Sequence, residues 1–337
     1  MTWYKVEEND SYKRLTDKFF VVATKHKVLL GDTKYFVARP IFKWRDWWWQ
    51  NVNDDIYSLL LLDNSHLVSC SKDRTIKLIN LPDKTIEATI NNAHNRDINF
   101  ISKVTQSSIA SCSDDKSIKI WNYNNGKFTC VHHINNAHSD IINKVLSLSK
   151  NRIASCSDDC MIKIFDSELN LLKTLQGHND SVRSIIQMDN KEYLISVSFD
   201  NTMRFWNLIT YNCESIIDGV TSSGSNCMFQ YDQNKIFVGG HNCITIININ
   251  KMRIEKIIEE EGMGDVRAMI RMRDGSVLCG YGEMLRREGR MCLYDVDSNT
   301  FSWRNTTHTN GIMCMVNIDE HSFASGAIDS SIILWKY

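Results

Sequence analysis

A short motif, in which polar residues are followed by alternating apolar residues, recurs along this chain at a nearly constant interval. Its clearest copies are SCSKDRTIKLIN, SCSDDKSIKIWN, SCSDDCMIKIFD and SVSFDNTMRFWN. Seven copies are recognisable, and their closing aromatic or aliphatic residues are Ile79, Trp121, Phe165, Trp206, Ile247, Tyr294 and Trp335. The separations between these residues are 42, 44, 41, 41, 47 and 41. A period of this size predicts seven structural units of one kind.

Each unit contains short segments in which apolar and polar residues alternate, such as Ile118-Lys119-Ile120-Trp121. This alternation predicts half-buried β-strands, and the Asn, Asp, Ser and Gly clusters between them predict tight turns. Four short strands fit within one period, and no segment has a sustained helical period. One four-stranded sheet leaves both faces exposed, whereas seven sheets stacked around an axis cover one another. The sequence therefore predicts an all-β fold, a β-propeller of four-stranded blades.

The repeats occupy residues 54–337 as seven units, and residues 1–53 form an N-terminal extension. The last unit ends directly after its third strand, at Trp335-Lys336-Tyr337. A strand from the N-terminal extension is therefore expected to complete the seventh blade and close the ring, because an unpaired edge would otherwise be exposed. The segment Tyr35–Phe42 is the best candidate for this closing strand.

An eighth, degenerate blade is the alternative. Phe19–Thr24 and Lys27–Gly31 have the composition of a strand pair, and Tyr35–Phe42 would then be a third strand of the same sheet. Thr2–Glu7 would close this additional blade. The sequence favours seven blades and leaves eight open.

The period, the S-x-S-x-D turn and the closing W-N or F-D dipeptide resemble the WD-repeat family. A histidine also lies 27 or 28 residues before the closing aromatic residue in four units. The resemblance implies that this His, a strand Ser, the turn Asp and the Trp form a hydrogen-bonded tetrad within one unit. The residues so assigned are His94, Ser113, Asp115 and Trp121; His138, Ser157 and Asp159; His178, Ser198, Asp200 and Trp206; and His308, Asp329 and Trp335.

Several units depart from this pattern. In the third unit Phe165 lacks the indole donor, and in the seventh Ala327 stands where the Ser is expected. The first unit has Asp73 without the histidine, while His241 and Glu288 occupy the Asp position in the fifth and sixth. A single His–Asp pair would be compatible with acid–base catalysis. Repeated copies without a nucleophile favour a structural role.

The composition excludes several functional classes. The 39 Lys and Arg residues nearly balance 40 Asp and Glu residues, whereas nucleic-acid binders carry a basic excess. No apolar stretch is long enough to span a membrane, and the polar N-terminus is unlike a secretory signal. Eleven cysteines cannot all pair within one chain. We therefore expect a soluble protein of a reducing compartment such as the cytoplasm, with no nucleic-acid partner and no membrane association.

Catalytic and cofactor motifs are absent from the sequence. It contains no G-x-x-x-x-G-K-[ST], no G-x-S-x-G and no H-E-x-x-H. Cys156 and Cys160 lack a second cysteine pair at zinc-binding spacing, and the adjacent His132 and His133 point to opposite sides of a strand. We therefore expect no enzyme activity, no cofactor and no metal site.

Two alternative functions arise from motif comparison. The segment Met284–Gly289 resembles the F/L-R-R-G motif of phosphoinositide-binding propellers, with Arg286 and Arg287 as the arginines, although a Glu precedes the Gly. The second alternative is the substrate-recognition subunit of a ubiquitin ligase, whose propellers often carry W-D-x-R. The strings that follow Trp121, Trp206 and Tyr294 lack that arginine.

The main functional prediction is a non-catalytic platform for protein–protein interaction, a monomeric propeller acting as scaffold or adaptor in a hetero-complex. In the WD-repeat family, the loops entering the blades and the turns between second and third strands share one rim, the top face. Apolar residues within this polar rim, together with acidic residues on neighbouring blades, would bind a peptide or domain with a basic segment. The candidate residues are Lys72, Asp97, Asp114, Ile141, Asp158, Phe199 and Ile328.

The run Lys43-Trp-Arg-Asp-Trp-Trp-Trp-Gln50 is the most unusual segment. In an extended strand Trp47 and Trp49 would point one way and Trp48 the other. One interpretation is that these side chains pack under the N-terminal extension. The other is that they extend the partner-binding surface, since Trp is enriched at interface hot spots.

Overall fold

The computed structural model describes residues 54–124, 126–189, 192–220, 227–259, 264–282 and 289–336 in full, and strands within residues 3–51 by their backbone. Several predictions fall outside these residues: the candidate closing strand Tyr35–Phe42, most of Thr2–Glu7, and Arg286, Arg287 and Glu288. Within the described part of the chain, no helix is long and apolar enough to cross a membrane.

Two compact units are present, residues 1–44 with Tyr337 and residues 45–336. In the first unit, strands β1 (Trp3–Tyr4), β2 (Phe19–Thr24) and β3 (Lys27–Asp32) form a sheet in the order β1-β3-β2. The predicted strand pair Phe19–Thr24 with Lys27–Gly31 is therefore present as an antiparallel hairpin, in which Phe19 pairs with Asp32.

The second unit contains seven four-stranded antiparallel sheets, numbered here as blades in chain order. The strands of blades 1 to 6, from the innermost outward, and the first three of blade 7 are as follows. They are β5 (Ile56–Asp63), β6 (His66–Ser71), β7 (Ile76–Asn80) and β8 (Thr85–Ile90); β9 (Ile98–Thr105), β10 (Ser108–Ser113), β11 (Ile118–Asn124) and β12 (Lys127–Ile134); β13 (Ile142–Leu148), β14 (Arg152–Ser157), β15 (Ile162–Phe165) and β16 (Leu171–Leu175); β17 (Val182–Gln187), β18 (Tyr193–Ser198), β19 (Thr202–Asn207) and β20 (Cys213–Asp218); β21 (Cys227–Gln230), β22 (Lys235–Gly239), β23 (Cys243–Asn248) and β24 (Arg253–Glu259); β25 (Val266–Arg271), β26 (Val277–Tyr281), β27 (Arg290–Asp295) and β28 (Thr300–Asn305); and β29 (Ile312–Asp319), β30 (Ser322–Ala327) and β31 (Ser331–Lys336).

The seventh blade is completed by β4 (Arg45–Asn51), which pairs antiparallel with β31. The closing strand thus comes from the N-terminal extension as predicted, but it is not Tyr35–Phe42. The tryptophan run is this strand: Trp49 pairs with Ile333 and Trp48 with Leu334. A pairing of this kind satisfies the outer edge of β31, which explains why a segment rich in β-forming aromatic residues lies here.

The seven blades form a closed ring, because the innermost strands contact one another in order and β29 returns to β5. The seven-blade β-propeller predicted from the period is therefore confirmed. The segments considered for an eighth blade form the separate three-stranded sheet of the first unit.

The hydrophobic core lies between adjacent blades. Ile76, Leu78 and Ile98 of blades 1 and 2 belong to one such cluster, and Ile56 with Leu334 to the cluster between blades 1 and 7. Second strands are buried along their whole length, as in β10, β14 and β30, because both of their faces contact a neighbouring blade. Their Ala, Ser, Cys and Gly residues keep the sheets close together. Outer strands such as β8 alternate between exposed and half-buried residues.

Candidate functional site

Each blade with the full repeat motif contains a buried hydrogen-bond network, and blade 2 shows it clearly. The Nε2 of His94 lies 2.7 Å from the Oγ of Ser111, and the indole Nε1 of Trp121 donates to the same Oγ at 2.8 Å. The Nδ1 of His94 lies 2.7 Å from Ser117 Oγ, which in turn donates to Asp115. The network links three strands or turns of one blade.

Blades 3, 4 and 7 repeat this arrangement. His138 Nδ1 lies 2.9 Å from Asp159, His178 Nδ1 lies 2.8 Å from Asp200, and His308 Nδ1 lies 3.2 Å from Asp329. Each Nε2 lies 2.7 Å from a serine Oγ, and the three serines are Ser155, Ser196 and Ser325. Trp206 and Trp335 donate their indole N–H to the serine of their blade, while Phe165 in blade 3 has no such donor.

The serine predicted for these networks was wrong by two residues. Ser113, Ser157 and Ser198 do not contact the histidines; Ser113 Oγ instead accepts the backbone N–H of Asp115 within the turn. Both serines of the S-x-S motif lie on the same face of the strand, so alternation does not distinguish them. Trp121 pairs with Ile109, which places Ser111 at the diagonal position that its indole reaches.

Blade 7 therefore has a complete network. Ala327 occupies the position of Ser113, and the serine that contacts His308 and Trp335 is Ser325. The sequence carried this information, because Ser325 lies ten residues before Trp335, as Ser111 does before Trp121 and Ser196 before Trp206.

The turn aspartate joins two parts of the chain. Asp115 accepts the N–H of Ser117 two residues ahead at 3.0 Å, and its other oxygen accepts the N–H of Asn95 in the entering loop at 2.7 Å. The residue directly after the aspartate takes a left-handed conformation, which tightens the turn, with φ of 67° at Lys116. The same two contacts recur at Asp159, Asp200 and Asp329.

The charges in these networks are fixed by burial and hydrogen bonding. Burial alone would raise the pKa of Asp159 and Asp200, but hydrogen bonds from the histidines and nearby donors lower it to about 2. Burial is the main cause of the lowered pKa of His94 and His178. A neutral histidine donating through Nδ1 to an ionised aspartate and accepting a serine hydroxyl at Nε2 satisfies every partner.

A Ser–His–Asp arrangement also occurs in hydrolases, but here the serine hydroxyl cannot meet a substrate. Ser155 and Ser196 are fully buried, and so is Ser111, whose Oγ is occupied by both His94 and Trp121. The networks therefore hold the entering loop, the second-to-third turn and the third strand together.

The other blades use different contacts at the same place. In blade 1 the ammonium of Lys77 lies 3.2 Å from Asp73, and Thr75 donates to the same carboxylate. In blade 5 His241 lies 2.7 Å from Asp265, at the start of blade 6. These substitutions keep a turn-to-loop connection without the full motif.

The inner strands surround a cavity of about 480 Å³, which we call the channel. Five of the predicted partner-binding residues line it: Asp97, Asp114, Ile141, Asp158 and Ile328. They come from entering loops and second-to-third turns, so this end of the channel corresponds to the predicted top face.

Lys72 and Phe199 are outside the channel lining. The ammonium of Lys72 lies 3.5 Å from Asp55. Phe199 is 41% exposed, and the guanidinium of Arg183 lies 4.9 Å from its ring centroid. Phe199 thus remains at the surface beside the channel.

The three predicted acidic residues differ in how their charges are balanced. Asp158 accepts from Asn143, Ser181 and Arg183, the last at 3.2 Å. Asp114 accepts from Asn99 at 2.7 Å, and neither Asp114 nor Asp97 has an ion pair within the described ranges. Burial is the main cause of the raised pKa of Asp114, and the neighbouring charge of Asp97 adds to it.

The channel also contains residues that the sequence did not single out. Tyr57, Asn99, Asn143, Arg183, Arg267 and Met313 occupy equivalent positions near the start of the innermost strand of each blade. Their position relative to the repeat was available from the sequence, but their polarity in an alternating strand is also typical of an ordinary solvent-exposed face.

The tryptophan run lies on the opposite side of its blade. Trp47, Trp48 and Trp49 belong to β4, the outermost strand of blade 7, whereas Met313 and Met315 of the innermost strand line the channel. The strand order thus places the run three strands away from the channel-lining strand.

Comparisons with known proteins agree with this architecture. A family model described as WD domain, G-beta repeat, matches residues 51–80, 87–122, 128–166, 169–207 and 299–336. The crystal structure of the WD40 β-propeller domain of Doa1 is similar, with a TM-score of 0.73, 14% sequence identity, and coverage of 88% of this chain and 97% of that one. Zinc finger CCCH domain-containing protein 62 of Arabidopsis thaliana is 24% identical over 171 residues, which span 50% of this chain and 39% of that protein.

Proposed function

This chain belongs to the WD-repeat family, and on that basis we propose that it is a non-catalytic protein-interaction platform, a scaffold or adaptor subunit of a larger assembly. The observation that carries the proposal is the pair Asp97 and Asp114 at the channel mouth. Neither carboxylate is balanced by an ion pair within the described residues, and both line a cavity large enough to admit a side chain.

The chemistry of the channel mouth favours a basic segment of a partner protein. A lysine or arginine side chain placed between Asp97 and Asp114 would relieve their mutual repulsion and form charge-assisted hydrogen bonds. Ile141 and Ile328 are half-buried beside these carboxylates and supply apolar contact area. Apolar groups inside a polar rim are the usual composition of a protein interface.

Asp158 contributes less to this recognition than its position in the repeat suggests. Its carboxylate is already engaged by Arg183, Asn143 and Ser181. Displacing these partners would offset the gain from a new cation. We therefore assign the cation-binding role to Asp97 and Asp114.

The proposed setting is a reducing compartment, in which the propeller acts as one subunit of a hetero-complex. All eleven cysteines are unpaired. Cys70, Cys112 and Cys156 are buried on the second strands of blades 1 to 3, where they act as small apolar residues.

The test is a selection of binding peptides followed by affinity measurement. A displayed library of random peptides is selected against the purified protein, and the selected sequences are expected to be enriched in Lys and Arg. Fluorescence anisotropy then compares the wild-type protein with the double variant Asp97→Asn, Asp114→Asn. We expect the double variant to bind at least about tenfold more weakly, because it lacks two charged acceptors.

The matched control is Asp83→Asn, which removes one negative charge from an exposed turn at the other end of blade 1. Its affinity should equal that of the wild type. Selected peptides without basic residues, or equal binding by the Asp97/Asp114 variant, would contradict the proposal. Binding of the protein to phosphoinositide vesicles, with no peptide selected, would favour a lipid-binding propeller instead.

A further inference from the structure

Lys144 is an unusual residue for the inside of a propeller. It lies on β13, where it pairs with Cys156 of β14, and it lines the channel. Its ammonium donates to Ser184 Oγ at 3.2 Å and lies 5.0 Å from the ring centroid of Phe100. Protein surrounds the side chain, and this burial lowers the pKa of Lys144.

The charge of Lys144 has no carboxylate partner within the described residues. Every other channel-lining cation has one: Arg183 lies 3.2 Å from Asp158, and Arg267 lies 2.8 Å from Asp265. A buried cation without a counter-charge is unfavourable, so its retention in a packed interior requires compensation. Hydrogen bonding to a hydroxyl and contact with an aromatic face compensate only in part.

Further hydrogen-bond donors lie near the same part of the channel. The Nε atoms of Arg183 and Arg267 are buried without a hydrogen-bond partner, and both residues line the cavity. The positive charges of Lys144 and Arg183 both act on the thiol of Cys156, and those of Lys144 and Arg267 both act on Cys227. The three cations therefore surround one region, with Lys144 between the two arginines.

We propose that the channel contains a binding site for a small oxyanion, a phosphate or a carboxylate, held by the ammonium of Lys144 and the hydroxyl of Ser184. The ammonium has three N–H donors, of which one is used by Ser184, and an oxyanion accepts the others. Arg183 and Arg267 supply a positive field on either side. The cavity volume of about 480 Å³ lies within the range of small-molecule sites.

This site is separate from the proposed basic-peptide site. The carboxylates of Asp97 and Asp114 belong to blade 2, in its entering loop and its second-to-third turn, whereas Lys144 and Ser184 lie within the innermost strands of blades 3 and 4. Failure of peptide binding would leave the oxyanion site intact, and the reverse also holds.

Isothermal titration calorimetry of the full chain with inorganic phosphate, and separately with acetate, tests the proposal at constant ionic strength. We expect saturable binding of at least one anion to the wild type, and the arm that saturates identifies the class. Lys144→Met should weaken this binding at least about tenfold, because a charge-assisted contact is lost. The control Lys173→Met removes an exposed lysine on the outer strand of blade 3 and should bind as the wild type does.

A second variant, Ser184→Ala, guards against a folding defect in Lys144→Met. It removes one hydroxyl, retains the cation, and should weaken anion binding while its circular dichroism spectrum stays unchanged. The proposal is overturned if neither anion binds saturably to the wild type. It is also overturned if Lys173→Met weakens binding as much as Lys144→Met, or if Ser184→Ala binds as tightly as the wild type.

Discussion

Ser111→Ala is the substitution that most directly tests the buried network of blade 2. It removes the acceptor of the Trp121 indole at 2.8 Å and the hydroxyl 2.7 Å from His94 Nε2, so two buried polar groups lose a partner. Each unsatisfied buried group costs roughly 1–3 kcal/mol. We expect the free energy of unfolding to fall by about 2–4 kcal/mol, measured by urea denaturation with circular dichroism.

Two matched variants separate the contributions. Ser155→Ala in blade 3 strands only His138, since Phe165 has no indole donor, and should destabilise the protein by about 1 kcal/mol less than Ser111→Ala. Ser113→Ala loses a turn contact, the acceptor of the Asp115 N–H, and should have a smaller effect than either. If Ser113→Ala were the most destabilising of the three, the assignment of Ser111 to the network would be refuted.

The remaining predictions concern pH and ring closure. Because the folded-state pKa of Asp159 and Asp200 is lowered to about 2, their stabilising contribution is present above the unfolded-state value of 3.8 and is lost as pH falls toward 2; Asp159→Asn should flatten this part of the unfolding profile. The pKa of His94 and His178 is lowered, so unfolded chains bind protons first, and stability should fall as pH drops below 6.5, as thermal melts across pH would record. Deletion of residues 1–44 keeps β4 and should leave a monomeric propeller, whereas deletion of residues 1–53 exposes the edge of β31 and should cause aggregation in size-exclusion chromatography; equal behaviour of both deletions would contradict β4 as the closing strand.

The repeat made the architecture predictable, because a period that returns to equivalent residues specifies the unit and its number together. His94, Asp115 and Trp121 were identifiable from spacing, and the structure brings them together. The network serine was missed because Ser111 and Ser113 share one strand face. The choice between them depends on how far the Trp121 indole reaches along the sheet.

The closing strand and the channel residues were harder to predict for physical reasons. Tyr35–Phe42 and Arg45–Asn51 both have strand composition, and the tryptophan-rich segment is too aromatic to resemble an ordinary outer strand. Lys144 alternates with apolar neighbours, which is typical of a solvated strand face. Only closure of the ring makes that face the wall of an enclosed channel.

The central claim, that a partner protein binds at the channel mouth, is tested most directly by site-specific photo-cross-linking. A photoreactive amino acid replaces either Ile141 beside the channel or Ile209, which is 67% exposed in the turn between β19 and β20 at the opposite end of blade 4. Irradiation in cells that produce the protein should yield a specific cross-linked partner from position 141 and not from position 209. The product should disappear when Asp97→Asn and Asp114→Asn are added. Cross-linking from position 209 alone, or a product at position 141 that is unchanged by the double substitution, would contradict the account.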